Sequence, residues 1–351
     1  MSNLFFILFI IFFGIFFYKL FLFFINKYNL KIFIDNQLNK PQAFHAIPIP
    51  AIGGFGIFFS LLITILYFYL YKNIFFFEYL SFCLLFFLIG FVDDIKINFN
   101  PTIRLLIMII SLILLVKYNN FYIAHTGIEF LNNLIRYFDF FSLFFVCLCF
   151  LFIVNGANLI DGYNGLLGIH SLIIFLNLFF VNHIYGNNEL AFFLLAIIFI
   201  LITFLIFNFP EAKIFLGDSG AYFLGVVLSV SAIKTSIAIP EISPFYFCIL
   251  LFYLFFEVFF SFFRKIFKEK KSPIRPDKKH LHMLLYKFFL KRNGNKAKSN
   301  YYVSIVINFS YFILILPAIF MKDNGLFCKY YSISLFLFYL YTYKLAHGKA
   351  K

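Results

Sequence analysis

Asp93 and Asp94 stand side by side in Phe91-Val92-Asp93-Asp94-Ile95-Lys96, at the end of an apolar run that begins near Phe75. Ionised side chains in or beside hydrocarbon are costly and rare, and they usually mark an ion, proton or substrate site. If the apolar helix continues through the pair, Asp93 shares a face with Lys96, and Asp94 shares the next face with Asn98. Such hard oxygen donors suit Mg²⁺, which keeps several waters and takes one or two carboxylates together with substrate phosphates. With Asn98, Asn100 and Arg104 following, the group fits a diphosphate ligand. The plain alternative is an Asp pair meeting water at a membrane interface. It explains this stretch alone about equally well, and the other polar stretches shift the balance toward a site.

Four further stretches break equally apolar surroundings. His45-Ala46-Ile47-Pro48-Ile49-Pro50-Ala51-Ile52-Gly53-Gly54 combines stiffening prolines with paired glycines that let another backbone come close. On its own it reads as a shaped approach to a helix. Residues 155–166 hold Asn155, Asn158, Asp161 and Asn164 among three glycines, too many polar groups for a tight turn and suited to non-helical backbone lining a wet cavity. In Asn208-Phe209-Pro210-Glu211-Ala212-Lys213-Ile214-Phe215-Leu216-Gly217-Asp218-Ser219-Gly220, Asp218 either caps a helix start or holds a metal near a dipole that favours phosphate oxygens. Arg275-Pro276-Asp277-Lys278-Lys279-His280-Leu281-His282 lies in a basic stretch; a solvated charge run explains its lysines but not His280 and His282.

These stretches must be positioned by membrane helices. The 351 residues are 63% hydrophobic with a mean hydropathy of +0.95, far above the apolar share of soluble domains. Apolar runs long enough to span recur along the chain, whereas outer-membrane strands would alternate in polarity. The composition predicts an all-α, polytopic integral membrane protein of about 10–11 transmembrane helices in one domain covering residues 1–351. The candidate spans are 4–25, 51–70, 75–93, 102–117, 138–155, 165–182, 190–207, 217–236, 244–263, 302–321 and 328–345. Residues 1–25 lack a basic start and a small-residue cleavage site, and read as a retained first helix. The 62 Phe and absent Trp point to lipid-facing filler rather than stacking platforms. Five cysteines in or beside apolar runs suggest neither disulfides nor a metal site.

Charge gives orientation. Of the 29 Lys and Arg, 22 fall in one alternate set of loops and six in the other, with Lys19 inside the first span. The positive side is expected to be cytoplasmic, and all five polar stretches lie on it. The net charge of +14 is thereby a topology signal, which argues against nucleic-acid binding. An ion-coupled transporter is the competing class, because intramembrane acids also serve ion paths. Transporter sites lie near the midplane between related halves, and this chain has neither feature.

Taken in order, the five stretches resemble the polyprenyl-phosphate N-acetylhexosamine-1-phosphate transferases, glycosyltransferase family 4. The resemblance covers about residues 35–290. His-x4-Pro-x2-Gly-Gly matches at His45, Pro50, Gly53 and Gly54; the Asp-Asp pair at Asp93 and Asp94; Asn-x-x-Asn-x-x-Asp-Gly at Asn155, Asn158, Asp161 and Gly162; Gly-Asp-x-Gly at Gly217, Asp218 and Gly220; and His-x-His at His280 and His282. Three departures stand out. Asn164 replaces an Asp common in relatives, Met283 stands where some carry a third His, and Phe44 precedes His45 where a basic residue is usual.

The resemblance implies transfer of a sugar-1-phosphate from a UDP-N-acetyl-sugar to undecaprenyl phosphate with release of UMP, starting a lipid-linked surface glycan such as O-antigen or capsule. It implies a bacterial inner-membrane enzyme dependent on Mg²⁺, or Mn²⁺, with its active site toward the cytoplasm, and it is compatible with a homodimer. Asp218 is then the principal metal ligand, with Asp94 helping directly or through water. Asp93 activates or orients the lipid phosphate, and Asp161 completes the catalytic carboxylates. Lys96, His280 and His282 are expected to contact phosphates. Asn158 and Asp161 are expected at the nucleotide or sugar, with His45, Asn155 and Asn164 as further substrate contacts.

Overall fold

The computed structural model describes residues 3–28, 30–35, 48–95, 100–272 and 277–350. These residues are helical nearly throughout: α1 (Asn3–Tyr28), α2 (Gly53–Lys72), α3 (Phe77–Asp94), α4 (Pro101–Asn119), α5 (Glu129–Tyr137), α6 (Asp139–Ile160), α7 (Leu166–Ile184), α8 (Asn188–Asn208), α9 (Gly217–Ala238), α10 (Pro244–Leu250), α11 (Phe252–Phe263), α12 (Leu281–Asn293), α13 (Lys296–Phe320) and α14 (Gly325–Ala350). A two-residue antiparallel pair, β1 (Ile34–Asp35) with β2 (Ile49–Pro50), is the sole sheet among the described residues.

All eleven expected spans fall on helices. Eight of them, α1, α2, α4, α6, α7, α8, α9 and α13, are each long and apolar enough to cross a membrane. Pro244–Leu250 and Phe252–Lys268, that is α10 and α11 with the turn that follows, are apolar enough only as a pair, bent by 75° at a break the sequence does not announce. The helix α3 is charged at both ends by Glu78, Asp93 and Asp94, and α14 is diluted by tyrosines and lysines. Helix starts are written locally. Asn100 accepts the Thr102 N–H at 3.1 Å ahead of Pro101, and Asn295 accepts the Lys298 N–H at 3.0 Å. Two short helices, α5 and α12, lie in stretches expected to be loops.

The core is organised around α9. Its faces are buried by α2, α3, α6 and α7, and small residues such as Ser219, Gly220, Ala221, Gly225, Ser229 and Ser231 let those neighbours approach. Peripheral helices turn leucine and phenylalanine outward, as with Phe12 on α1 and Leu114 on α4, the pattern of side chains facing lipid. The polar stretches gather at one end of α9. Residues 50–54 pair with the segment just before it: Phe215 N–H donates to Pro50 O, Gly53 N–H to Phe215 O and Gly54 N–H to Leu216 O, each at 2.8 Å.

Candidate active site

Asp94, the last residue of α3, spans the start of α9. Its Oδ1 accepts the Asp218 N–H at 2.8 Å and its Oδ2 the Ser219 N–H at 3.0 Å, so a carboxylate sits on the positive end of the α9 dipole. Glycine makes this contact feasible. A Cβ at Gly90 would fall inside the Asp218–Ser219 backbone, and one at Gly54 would strike Gly220. Gly217 adopts a φ of +81° directly beneath the Asp94 carboxylate. The paired glycines of the first motif and the Asp-Asp motif therefore serve one purpose, close docking of α2 and α3 on the α9 N-terminus.

Asp218 accepts a hydrogen bond from Asn158 Nδ2 at 2.7 Å, which brings the third motif to the fourth. Asp161 follows immediately after α6. No hydrogen bond or ion pair reaches its carboxylate among the described residues, and it faces the negative charges of Asp218 and Asp94. Its enclosure by protein, and secondarily those two charges, push its carboxyl well above the ordinary carboxylate range. Like charges gathered this way repel one another unless a carboxyl is protonated or a cation lies among them. Among the described residues no three His, Cys, Asp or Glu side chains converge closely enough to cage an ion unaided. Oxygen donors from Asp218 and its neighbours, with substrate phosphates completing the shell, nevertheless match what Mg²⁺ takes. The residues present fit the ion.

The remaining expected residues separate by partner. Asp93 pairs with Arg104, whose Nη1 donates at 2.7 Å while its guanidinium lies 5.7 Å from the Tyr222 ring centre and within electrostatic reach of Asp218. Asn155 donates back to Leu151 O of its own helix at 2.7 Å. Asn164 Nδ2 donates to Pro210 O at 2.9 Å, and its N–H donates to Asn300 Oδ1 at 2.8 Å. Asn208 completes that tie, accepting the Gly165 N–H at 2.7 Å and donating to Ile214 O at 2.9 Å. The residues preceding Gly217 are thus a brace between the two polar loops. His45 and Lys96 lie outside the described residues.

His280 and His282 converge at the start of α12 with nearly parallel rings 5.5 Å apart, both buried. They meet a carboxylate that the motifs do not include, Glu257 on α11, 3.0 Å from His280 Nδ1. The available signal was its isolation within the run Phe255-Phe256-Glu257-Val258-Phe259-Phe260. The edge of His282 meets the ring of Tyr163, two residues beyond Asp161, with centres 5.6 Å apart. Burial lowers the His282 pKa to about 4, with Glu257 opposing.

Comparison with known proteins follows the same lines. Residues 76–236 match the model of glycosyl transferase family 4. The chain is 30% identical over 305 residues to an undecaprenyl-phosphate alpha-N-acetylglucosaminyl 1-phosphate transferase of Thermotoga maritima, covering 87% of this chain and 85% of that protein. It is 32% identical to a probable undecaprenyl-phosphate N-acetylglucosaminyl 1-phosphate transferase of Bacillus subtilis over 54% of this chain and 50% of the relative. A phospho-N-acetylmuramoyl-pentapeptide-transferase of Dictyoglomus turgidum matches at 34% identity over 63% of this chain and 74% of the relative. The near full-length likeness to the Thermotoga protein, with the family match across α3 to α9, places the chain in glycosyl transferase family 4.

Proposed function

We propose that the chain transfers an N-acetylhexosamine 1-phosphate, GlcNAc-1-phosphate in the first instance, from its UDP-linked donor to undecaprenyl phosphate and releases UMP. The reaction is placed at the cytoplasmic face of the bacterial inner membrane, where it starts a lipid-linked surface glycan of the O-antigen or capsule kind. The observation that carries this reading is the gathering of Asp94, Asp161 and Asp218 at the α9 N-terminus without a compensating cation on Asp161 among the described residues. The names of the Thermotoga and Bacillus relatives support the sugar and the lipid.

An oxygen of the lipid phosphate forms a bond to the β-phosphorus of the donor. The bond from that phosphorus to the bridging oxygen breaks, and its electron pair leaves with UMP. Both reactants are anionic, so positioning and charge neutralisation carry most of the catalysis in such transfers. Mg²⁺ or Mn²⁺, when bound, offsets that charge; Asp218 would hold it, with Asp161 and Asp94 beside it. Asp94 fixes the α9 start and thereby the direction of Asp218. Asn158 holds one Asp218 oxygen in place. Asp93, carried on Arg104, orients the lipid phosphate, and Arg104 supplies positive charge on that side.

The test uses purified protein in lipid nanodiscs with undecaprenyl phosphate and separate UDP-GlcNAc, UDP-GalNAc and UDP-N-acetylmuramoyl-pentapeptide donors. The expected result is a lipid-linked sugar plus UMP from a UDP-N-acetylhexosamine, lost in excess EDTA. Product from the muramoyl-pentapeptide donor alone would move the enzyme to peptidoglycan synthesis. Absence of any lipid product would overturn the reading.

A further inference from the structure

Glu257 is 1% exposed inside the phenylalanine run of α11. A carboxylate there is tolerated only when its oxygens are satisfied; the segment leading into α12 supplies close partners, and the hydroxyls of Tyr253 on α11 and Tyr339 on α14 add to them. His280 Nδ1 lies 3.0 Å from Oε2, and the Leu281 N–H donates to Oε1 at 3.2 Å. His282 Nδ1 is 3.9 Å from the same Oε1 and 3.4 Å from the Tyr253 hydroxyl, also on α11. The far nitrogen of His280 is 3.4 Å from Asp277 Oδ1. Asp277 is itself gripped by Arg264 Nη2 at 2.8 Å, while Glu269 binds Arg264 Nη1 at 2.9 Å and Lys279 at 2.8 Å. Burial opposes the charge on Asp277, yet His280, the Lys279 N–H, Arg264 and Lys265 outweigh it and hold its carboxyl below the ordinary range. One carboxylate on a membrane helix thus fixes two histidines and the first turn of α12. Of the pair's four ring nitrogens, His282 Nε2 is buried without a hydrogen bond among the described residues, and its ring lies against Tyr163 in the Asp161–Asn164 loop.

We infer that Glu257 is a positioning residue for the transfer: it sets the orientation of His280 and His282 and pins the start of α12, so that the unsatisfied His282 nitrogen is held ready for the anionic donor. The inference rests on the proposed sugar-phosphate transfer, in which the donor carries a diphosphate. In this scheme His282 Nδ1 accepts the Tyr253 O–H, so the neutral imidazole carries its proton on Nε2 and presents it as a donor in one defined direction, as in other sites where an outer partner orients a working imidazole. Glu257 does not itself touch substrate in this scheme, and its influence is read through the histidines.

The experiment measures donor KM and kcat, with thermal melting of the detergent-purified protein, for His282→Ala, Glu257→Gln, their double variant and Leu281→Pro. Glu257→Gln keeps the side-chain size and removes the charge, and should raise the donor KM about tenfold, the loss of one charge-assisted contact, with a smaller change in kcat. The double variant should cost no more than His282→Ala alone, because both act through one group. Leu281→Pro removes the N–H that Glu257 Oε1 accepts and shortens a side chain packed against the core, so the melting curve accompanies its kinetics. Proline suits the first helical position, because His280 is already extended with ψ 152°. That change should raise the donor KM with Glu257 intact, so the inference stays testable even if Glu257→Gln does not fold. If His282→Ala is kinetically silent, the histidines do not serve the donor and the reading beneath the inference fails. If His282→Ala is impaired while folded Glu257→Gln stays within about twofold of wild type in both constants, the inference alone fails. Fully additive losses in the double variant would also overturn it.

Discussion

Asp94 Oδ1 accepts the backbone N–H of Asp218 at 2.8 Å, so one carboxylate of the site builds the helix end that carries another. The two residues should therefore fail in different ways. Asp94→Ala strips two backbone donors of their acceptor and should cost about 1–2 kcal/mol of stability along with activity. Asp218→Asn retains an oxygen for Asn158 and removes one of three clustered negative charges. It should lower kcat by about a thousandfold or more while raising Tm in EDTA. Melting curves and initial rates on both variants check this, and an active Asp218→Asn would remove the residue from the site.

Asn164 stands where relatives often carry Asp, and its amide donates to Pro210 O. Asn164→Asp exchanges that donor for a charge facing a carbonyl, at a cost of about 1 kcal/mol for a half-buried group. A lower Tm and lower kcat/KM are expected. A large gain in activity would mean that a second carboxylate is essential and that the wild-type chain is a degenerate member.

The legible parts of the site were those whose chemistry is written in short range. Asp93-Asp94 stood out because charge beside apolar runs is costly, Asp218 because it enters a helix between glycines, the His-x-His pair because a solvated charge run does not explain histidines, and Gly53-Gly54 because paired glycine signals close approach. What sequence spacing does not carry is the partner. Nothing adjacent to Asp93 announces Arg104 eleven residues on, and nothing near His280 announces Glu257 from the preceding helix. The asparagines of residues 155–166 all looked alike as polar groups, yet Asn155 serves its own helix, Asn158 serves Asp218 and Asn164 braces a loop. Periodicity found the helices but not the 75° break between α10 and α11, since both sides of Leu251 are equally apolar.

His282 links the site to pH. In the unfolded chain a histidine titrates near 6.5, whereas burial lowers it to about 4 in the fold, where Glu257, His280, Asp277, Tyr253 and Tyr163 surround it. Below the unfolded value the unfolded chain takes up a proton that the folded chain refuses, so stability falls as pH drops from 6.5 toward 4. This contribution should reach about 2 kcal/mol near pH 5. Tm measured across that window should fall more steeply for wild type than for His282→Gln; equal slopes would mean that His282 accepts a proton within the fold.

Orientation is testable at Ser272, an exposed position in the basic segment between α11 and α12. With the protein in intact cells, Ser272→Cys in a background without the five native cysteines should react with a membrane-permeant maleimide and resist an impermeant one. The reverse pattern would invert the topology and take the donor out of the cytoplasm.

The central claim is transfer of sugar together with phosphate, and the fate of the β-phosphorus decides it most directly. UDP-GlcNAc radiolabelled at the β-phosphorus is incubated with the nanodisc-embedded protein, undecaprenyl phosphate and Mg²⁺, and the lipid and aqueous phases are separated. Sugar-1-phosphate transfer sends the label into the lipid phase as a diphosphate-linked sugar and leaves unlabelled UMP in the water. Label retained in the water as UDP, with the sugar alone on the lipid, would contradict the account.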